Sequence, residues 1–194
     1  MKRILALAAL ICCIVPWAVA QNEDNRAEFG VFGDYFRVGP ANTNFYGVGG
    51  RVGFNLQKHV QLEGETAYDF TQNFSTNVPC ISQPCPPTPA NVGLHVWHGL
   101  FGPKLQTSGP VRLFVEAKGG FVNFAGGGNL SLAGFANQVG TFGGPGTFGT
   151  FFPGGGVEGY LGKIGLRLDV GDEMWFSSGA HHNLKVTFGP SIRF

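Results

Sequence analysis

The chain has 194 residues, of which 43% are hydrophobic and only 13% charged, which suggests one domain with about half the charged share usual in a soluble one. Its 32 glycines and 19 phenylalanines suit tight turns and crowded strand faces and argue against a helical bundle. The formal net charge of +1 gives no electrostatic footprint for nucleic acid.

Residues 1–20 read differently from the rest. Lys2 and Arg3 open the chain, an apolar run follows from Ile4 to Val15, Pro16 breaks it, and Ala18-Val19-Ala20 supplies small residues at cleavage spacing. This pattern predicts a secretory signal peptide, with a mature domain over 21–194 starting at Gln21. The apolar run is short for a membrane-spanning helix. Ile11 precedes Cys12 where a lipoprotein signal needs a small residue, which argues against lipidation.

After residue 20, no segment keeps an apolar stripe at helical spacing. Period-two alternation appears instead, eight times. The first run, Ala27 to Val38, sets Ala27, Phe29, Val31 and Tyr35 against Glu28, Phe32 and Asp34. The second, Phe45 to Leu56, sets Tyr46, Val48, Val52 and Phe54 against Gly47, Gly49 and Arg51. The third, His59 to Thr71, is the clearest: Val60, Leu62, Thr66, Tyr68 and Phe70 oppose Gln61, Glu63, Glu65 and Asp69.

Between the third and fourth runs stand Cys80 and Cys85, the two cysteines left after the leader. In an exported chain they read as a short-loop disulfide. A zinc site needs about four ligands, and no further cysteine or nearby histidine completes one.

The fourth run, Leu94 to Gln106, puts Trp97, Phe101 and Leu105 opposite His98 and Lys104. The fifth, Val111 to Phe124, puts Val111, Leu113 and Val115 opposite Arg112, Glu116 and Lys118. The sixth, Thr150 to Leu161, is glycine-rich and sets Val157 and Leu161 against Glu158 and Tyr160. The seventh, Lys163 to Gly171, alternates Ile164, Leu166, Leu168 and Val170 with Arg167 and Asp169. The eighth, Asn183 to Phe194, alternates Leu184, Val186, Phe188, Ile192 and Phe194 with Lys185, Thr187, Ser191 and Arg193.

A soluble sandwich also alternates, with its apolar faces inward. Two features favour a barrel turned the other way. The links near Gln57-Lys58, over Thr107–Pro110 and at Gly162 are tight, whereas Gly39–Asn44, Gln72–Gly93, Ala125–Gly149 and Asp172–His182 are longer. Short turns alternating with long loops are the pattern of a transmembrane barrel. The polar faces also carry both signs at mid-strand: Glu63, Glu65, Glu116, Glu158 and Asp169 beside Arg51, Arg112 and Arg167. A small barrel's lumen is just wide enough for side chains, so these charges are expected to pair inside it. Asp169 or Glu158 is the expected partner of Arg167. Tyr35, Phe45, Tyr46, Tyr68, Phe70, Trp97, Phe151, Trp175 and Phe176 collect at strand ends on the long-loop side, as an interfacial girdle or a sandwich core would. The expected fold is therefore all-β: an eight-stranded antiparallel up-and-down transmembrane β-barrel.

The final residues carry the sharpest motif. Thr187, Gly189, Ile192 and Phe194 stand at the spacing polar-x-Gly-x-x-apolar-x-apolar, which resembles the terminal β-signal read by the outer-membrane assembly machinery. With Gly99–Lys104, Gly154–Glu158 and Ile164–Arg167, residues 27–194 resemble the outer-membrane β-barrel domain family, the small OmpA/OmpX-type barrels. The resemblance implies residence in the bacterial outer membrane after cleavage of the signal peptide, with lipid and the assembly machinery as partners. Nothing follows the eighth run, so the peptidoglycan-binding domain of two-domain members is not expected.

Three roles remain open: a structural or surface-interaction barrel whose long loops meet an extracellular ligand, a narrow solute pore, and a barrel enzyme. A hydrolase needs nucleophile, base and orienting group in contact. The only grouping with those residue types is Ser177, Ser178, His181 and His182 beside Asp172 and Glu173, which loop solubility explains equally well. A metal site on Glu173, His181 and His182 is disfavoured because adjacent side chains rarely point at one ion. His95 and His98 face opposite sides of their strand and read as ordinary interior or interface histidines. Gly126–Gly128 and Gly143–Gly146 lack the Lys-Ser/Thr and helix of a phosphate loop and read as extracellular loop. No enzyme activity, cofactor or metal is expected from this reading.

Overall fold

The computed structural model describes residues 26–39, 43–78, 88–128 and 146–194. The expected signal peptide over 1–20, Cys80 and Cys85 lie outside them. The strands are β1 (Ala27–Val38), β2 (Thr43–Gln57), β3 (Val60–Val78), β4 (Thr88–Gln106), β5 (Val111–Gly128), β6 (Gly146–Leu161), β7 (Ile164–Asp172), β8 (Met174–Phe176), β9 (Ala180–His181) and β10 (Asn183–Arg193). From β1 to β7 each strand pairs antiparallel with the next, and β10 pairs with both β7 and β1. The result is a closed eight-stranded up-and-down barrel, whose wall pairs first strand to last.

The two short strands are the ends of longer ones. Val170 pairs with Val186 and Trp175 with His181, equal steps along both strands, so β8 and β9 continue β7 and β10 in register. The expected loop Asp172–His182 is thus a hairpin whose turn is Ser177–Gly179, with Ser178 at φ 54° and Gly179 at φ 150°. Its charged and hydroxyl residues hide the alternation, in which Glu173 and Trp175 still point inward. The third to sixth runs also outreach their expected ends, to Val78, from Thr88, to Gly128 and from Gly146. Gly126–Gly128, expected as loop, pair with Val92–Leu94. Ladder hydrogen bonds hold these extensions without any apolar pattern to mark them.

Along each barrel strand the faces alternate. Leu166 and Leu168 are 56% and 38% exposed, whereas Arg167 and Asp169 between them are 1% and 2% exposed. The outer surface carries Phe29, Val31, Val48, Phe101, Leu113, Leu166 and Phe188, all exposed.

Inward glycines make room for inward rings. Phe32 pairs with Gly49, Phe114 with Gly156 and Tyr160 with Gly165. A Cβ on Gly49 would lie 2.4 Å from the Phe32 ring, on Gly156 2.7 Å from Phe114, and on Gly165 2.6 Å from Tyr160. Large and small residues thus alternate across the lumen.

Candidate functional site

Among the described residues, chemistry-bearing side chains converge in the barrel interior. It is stacked in layers, from the short-turn end to the long-loop end.

In the first layer Lys104 donates to Glu158 Oε2 at 2.8 Å and lies 3.9 Å from both Glu28 and Glu63. Gln61 donates to Glu28 at 3.2 Å, and the Arg193 guanidinium lies 3.3 Å from the Tyr160 ring centroid. Arg112 sits at the rim, 3.7 Å from Glu158.

The middle layer is built around Arg167. Its guanidinium donates to Glu63, to Glu116 Oε2 at 2.8 Å and to Asp169 Oδ1 at 2.6 Å, and it lies over the Phe114 ring at 4.3 Å. Lys118 reaches Glu63 at 2.6 Å, Glu65 at 2.7 Å and Glu116 at 3.0 Å. Arg51 donates to Asp169 Oδ2 at 2.6 Å and to Thr187 Oγ1 at 2.8 Å, and the Thr187 hydroxyl donates to the same carboxylate oxygen. Asp169 is therefore one partner of Arg167, as strand position suggested. Glu158, its cross-strand neighbour, turns to Lys104 instead. The other partners, Glu63 and Glu116, come from β3 and β5, because the long guanidinium spans a narrow lumen.

The third layer holds Asp34, Asp69, His98, Glu173 and Lys185, all buried. Lys185 lies 3.2 Å from both Asp34 and Glu173. His98 contacts Asp69 through Nε2 at 3.0 Å and Glu173 through Nδ1 at 2.8 Å. The alternation sets Asp34, Asp69, His98 and Lys185 on the polar faces of their runs, but it gives no reason to join His98 to Glu173.

Above these lies an apolar cap of Phe36, Val38, Phe45, Leu94, Val96, Val122, Phe124 and Trp175, all buried. Trp175 stacks on His181 with centroids 4.1 Å apart. Phe45 and Trp175 belong to this cap and not to an outer girdle. Tyr46, Tyr68, Phe70, Trp97, Phe151 and Phe176 do face outward. Period-two position decides between the two, and the aromatic character alone does not.

The residues weighed for hydrolysis do not assemble. His181 contacts the carbonyl of Ser177 at 2.9 Å, and His182 meets Asp172 at 2.5 Å on the exposed surface. Glu173 is turned into the lumen toward His98. His95 lies against Tyr68, with ring centroids 5.5 Å apart.

At the closing seam Thr187 and Gly189 point inward, and Ile192 and Phe194 outward. A Cβ on Gly189 would lie 2.0 Å from the Val31 carbonyl oxygen, so glycine lets β10 approach β1. Phe194 exchanges backbone hydrogen bonds with Ala27, at 2.9 and 3.3 Å.

Solved structures share this architecture. The N-terminal β-barrel domain of Pseudomonas aeruginosa OprF matches with a TM-score of 0.53 at 12% identity, over 89% of this chain and 100% of that one. Ail, the attachment invasion locus protein of Yersinia pestis, in complex with the heparin analogue sucrose octasulfate, matches with a TM-score of 0.50 at 11% identity, over 90% and 100%. Neisserial surface protein A matches with a TM-score of 0.50 at 9% identity, over 87% and 96%. No protein-family model and no curated protein sequence matches the chain. At these identities the likeness is one of fold, and by its strand number, closure and topology the chain has the fold of the small eight-stranded outer-membrane barrels of the OmpA/OmpX type.

Proposed function

We propose that the chain is an integral outer-membrane β-barrel with a structural or surface-interaction role and no enzyme activity, exported by a cleaved signal peptide. The observation that carries this reading is the inversion of its faces. Apolar side chains cover the outside while Arg51, Lys104, Lys118, Arg167 and Lys185 are buried inside with their carboxylates. Water would penalise such an exterior and lipid would not.

The filled lumen favours a closed barrel over a solute pore. Ion pairs cross it at two levels, rings occupy the glycine gaps, and the apolar cap covers the long-loop end. Contact with an extracellular ligand then falls to the long-loop side, where the β3–β4 and β5–β6 hairpins extend furthest. Thr187, Gly189, Ile192 and Phe194 serve as the assembly signal, with the outward Phe194 ring offered to the assembly machinery. Cys80 and Cys85 form a disulfide within the β3–β4 connection.

Cell fractionation combined with gel mobility before and after boiling tests this reading. The protein expressed from the full sequence is expected in the outer-membrane fraction as a folded band that shifts on boiling. The Phe194→Ser variant should lose most of that band. A soluble wild-type chain would contradict the membrane reading, and wild-type amounts of folded variant would remove the assembly signal. In planar bilayers no unitary conductance is expected. Steps of constant size would replace the surface-interaction role with that of a narrow pore.

A further inference from the structure

The third layer of the lumen has the makings of a metal site. Asp34, Asp69 and His98 come from β1, β3 and β4, and each offers a donor atom within 4.8 Å of the others'. Gly47 of β2 stands between the two aspartates, paired with both. A Cβ there would lie 2.3 Å from Asp69 Oδ1, so glycine is what allows the carboxylate its position.

Two further observations point to a cation. Asp34 Oδ1 and Asp69 Oδ1 are buried and have no hydrogen-bond partner, and a buried acceptor left this way is costly. The charges also fail to balance here and nowhere else in the described lumen. Towards the short-turn end, Glu28, Glu63, Glu65, Glu116, Glu158 and Asp169 are matched in number by Arg51, Lys104, Arg112, Lys118, Arg167 and Arg193. In the third layer Asp34, Asp69 and Glu173 outnumber the cationic groups facing them, Lys185 and His98, even with His98 counted as charged. Lys185 also lies 4.0 Å from Glu65, but Lys118 already pairs with that group at 2.7 Å. A bound cation would offset that excess.

The histidine is oriented for the purpose. A neutral His98 protonated at Nδ1 donates to Glu173 Oε1, 2.8 Å away, and turns the Nε2 lone pair toward the aspartates. A carboxylate behind a ligating imidazole is a recurrent support of metal sites. One imidazole with two carboxylates suits zinc and its first-row neighbours better than magnesium or calcium, which prefer oxygen alone. We propose that Asp34, Asp69 and His98 hold a divalent transition-metal ion of the zinc class inside the barrel, with Glu173 orienting His98 and Lys185 bridging Asp34 to Glu173. The Phe36 ring, 4.6 Å from His98, and the cap above it shield the ion, so it loads as the barrel closes and exchanges slowly afterwards.

The test is to refold the full chain in detergent with excess Co²⁺ or Zn²⁺, wash with a chelator, and measure metal per folded chain. Folding is scored separately by gel mobility. About one equivalent should remain, as expected of a single closed site, and bound Co²⁺ should show visible absorption bands. His98→Ala and Asp69→Asn should retain almost none. His182→Ala, which alters only an exposed histidine, should retain as much as wild type. If His98 instead carries a proton on each nitrogen and bridges Asp69 to Glu173, the folded wild type will hold no more metal than His98→Ala, and the proposal is overturned. Should the variants fail to fold, a folded wild type without stoichiometric metal overturns it equally.

Discussion

Replacing Arg167 with Leu is expected to destabilise the folded barrel by about 3–5 kcal/mol, the scale of removing one partner from a buried ion pair. Among the described residues, Arg167 is the only cation that joins Glu63, Glu116 and Asp169. Lys118 would still serve Glu63 and Glu116, and Arg51 would still serve Asp169. The network would therefore be short of one positive charge without falling apart. Leucine is smaller than arginine, so the loss does not come from a clash. Arg167→Lys should recover part of it, because charge returns without the planar fork that reaches three carboxylates. Denaturant unfolding in lipid vesicles measures both. A loss below about 1 kcal/mol, the scale of an exposed pair, would show that Arg167 is not the centre of this layer.

Leu168→Arg is expected to cost about 2–4 kcal/mol if position 168 lies near the bilayer midplane. Leu168 pairs with Val157 on one side and Phe188 on the other, neither of which offers a charge to meet the new guanidinium. The side chain must snorkel or thin the lipid around it. The neighbouring position behaves oppositely: at 167 arginine is required, and at 168 it is penalised. In a water-soluble protein with an apolar interior, 167 would tolerate leucine. Refolding yield into vesicles, with the unfolding midpoint, reads the effect at 168. Unchanged stability would mean that Leu168 faces water.

The alternation that fixes these faces is plain in the sequence, since Leu166-Arg167-Leu168-Asp169 can sit only one way in a wall with one apolar side. The closure of the barrel was legible for a similar reason, from short links alternating with long ones. Three things were not. Arg167 finds Glu63 and Glu116 across the lumen, and no local spacing encodes a contact between strands so far apart in order. The inward Phe45 and Trp175 look like girdle residues, because each stands beside an outward aromatic, Tyr46 and Phe176, in a run of rings at the strand end. The third layer escaped because Asp34, Asp69 and Glu173 read singly as interior or loop acids. Only the barrel's registers bring them around His98. Gly47, set between Asp34 and Asp69 by those registers, leaves the room that the Asp69 carboxylate occupies.

The central claim is that hydrocarbon meets the face of Leu168 and not that of Arg167. Spin labels attached at cysteines substituted at positions 168 and 167, in otherwise identical barrels reconstituted into lipid, address it most directly. The label at 168 should relax strongly with oxygen dissolved in the bilayer, and the label at 167 should be shielded from it. Equal responses at the two positions, in a protein that stays soluble without detergent, would contradict the account.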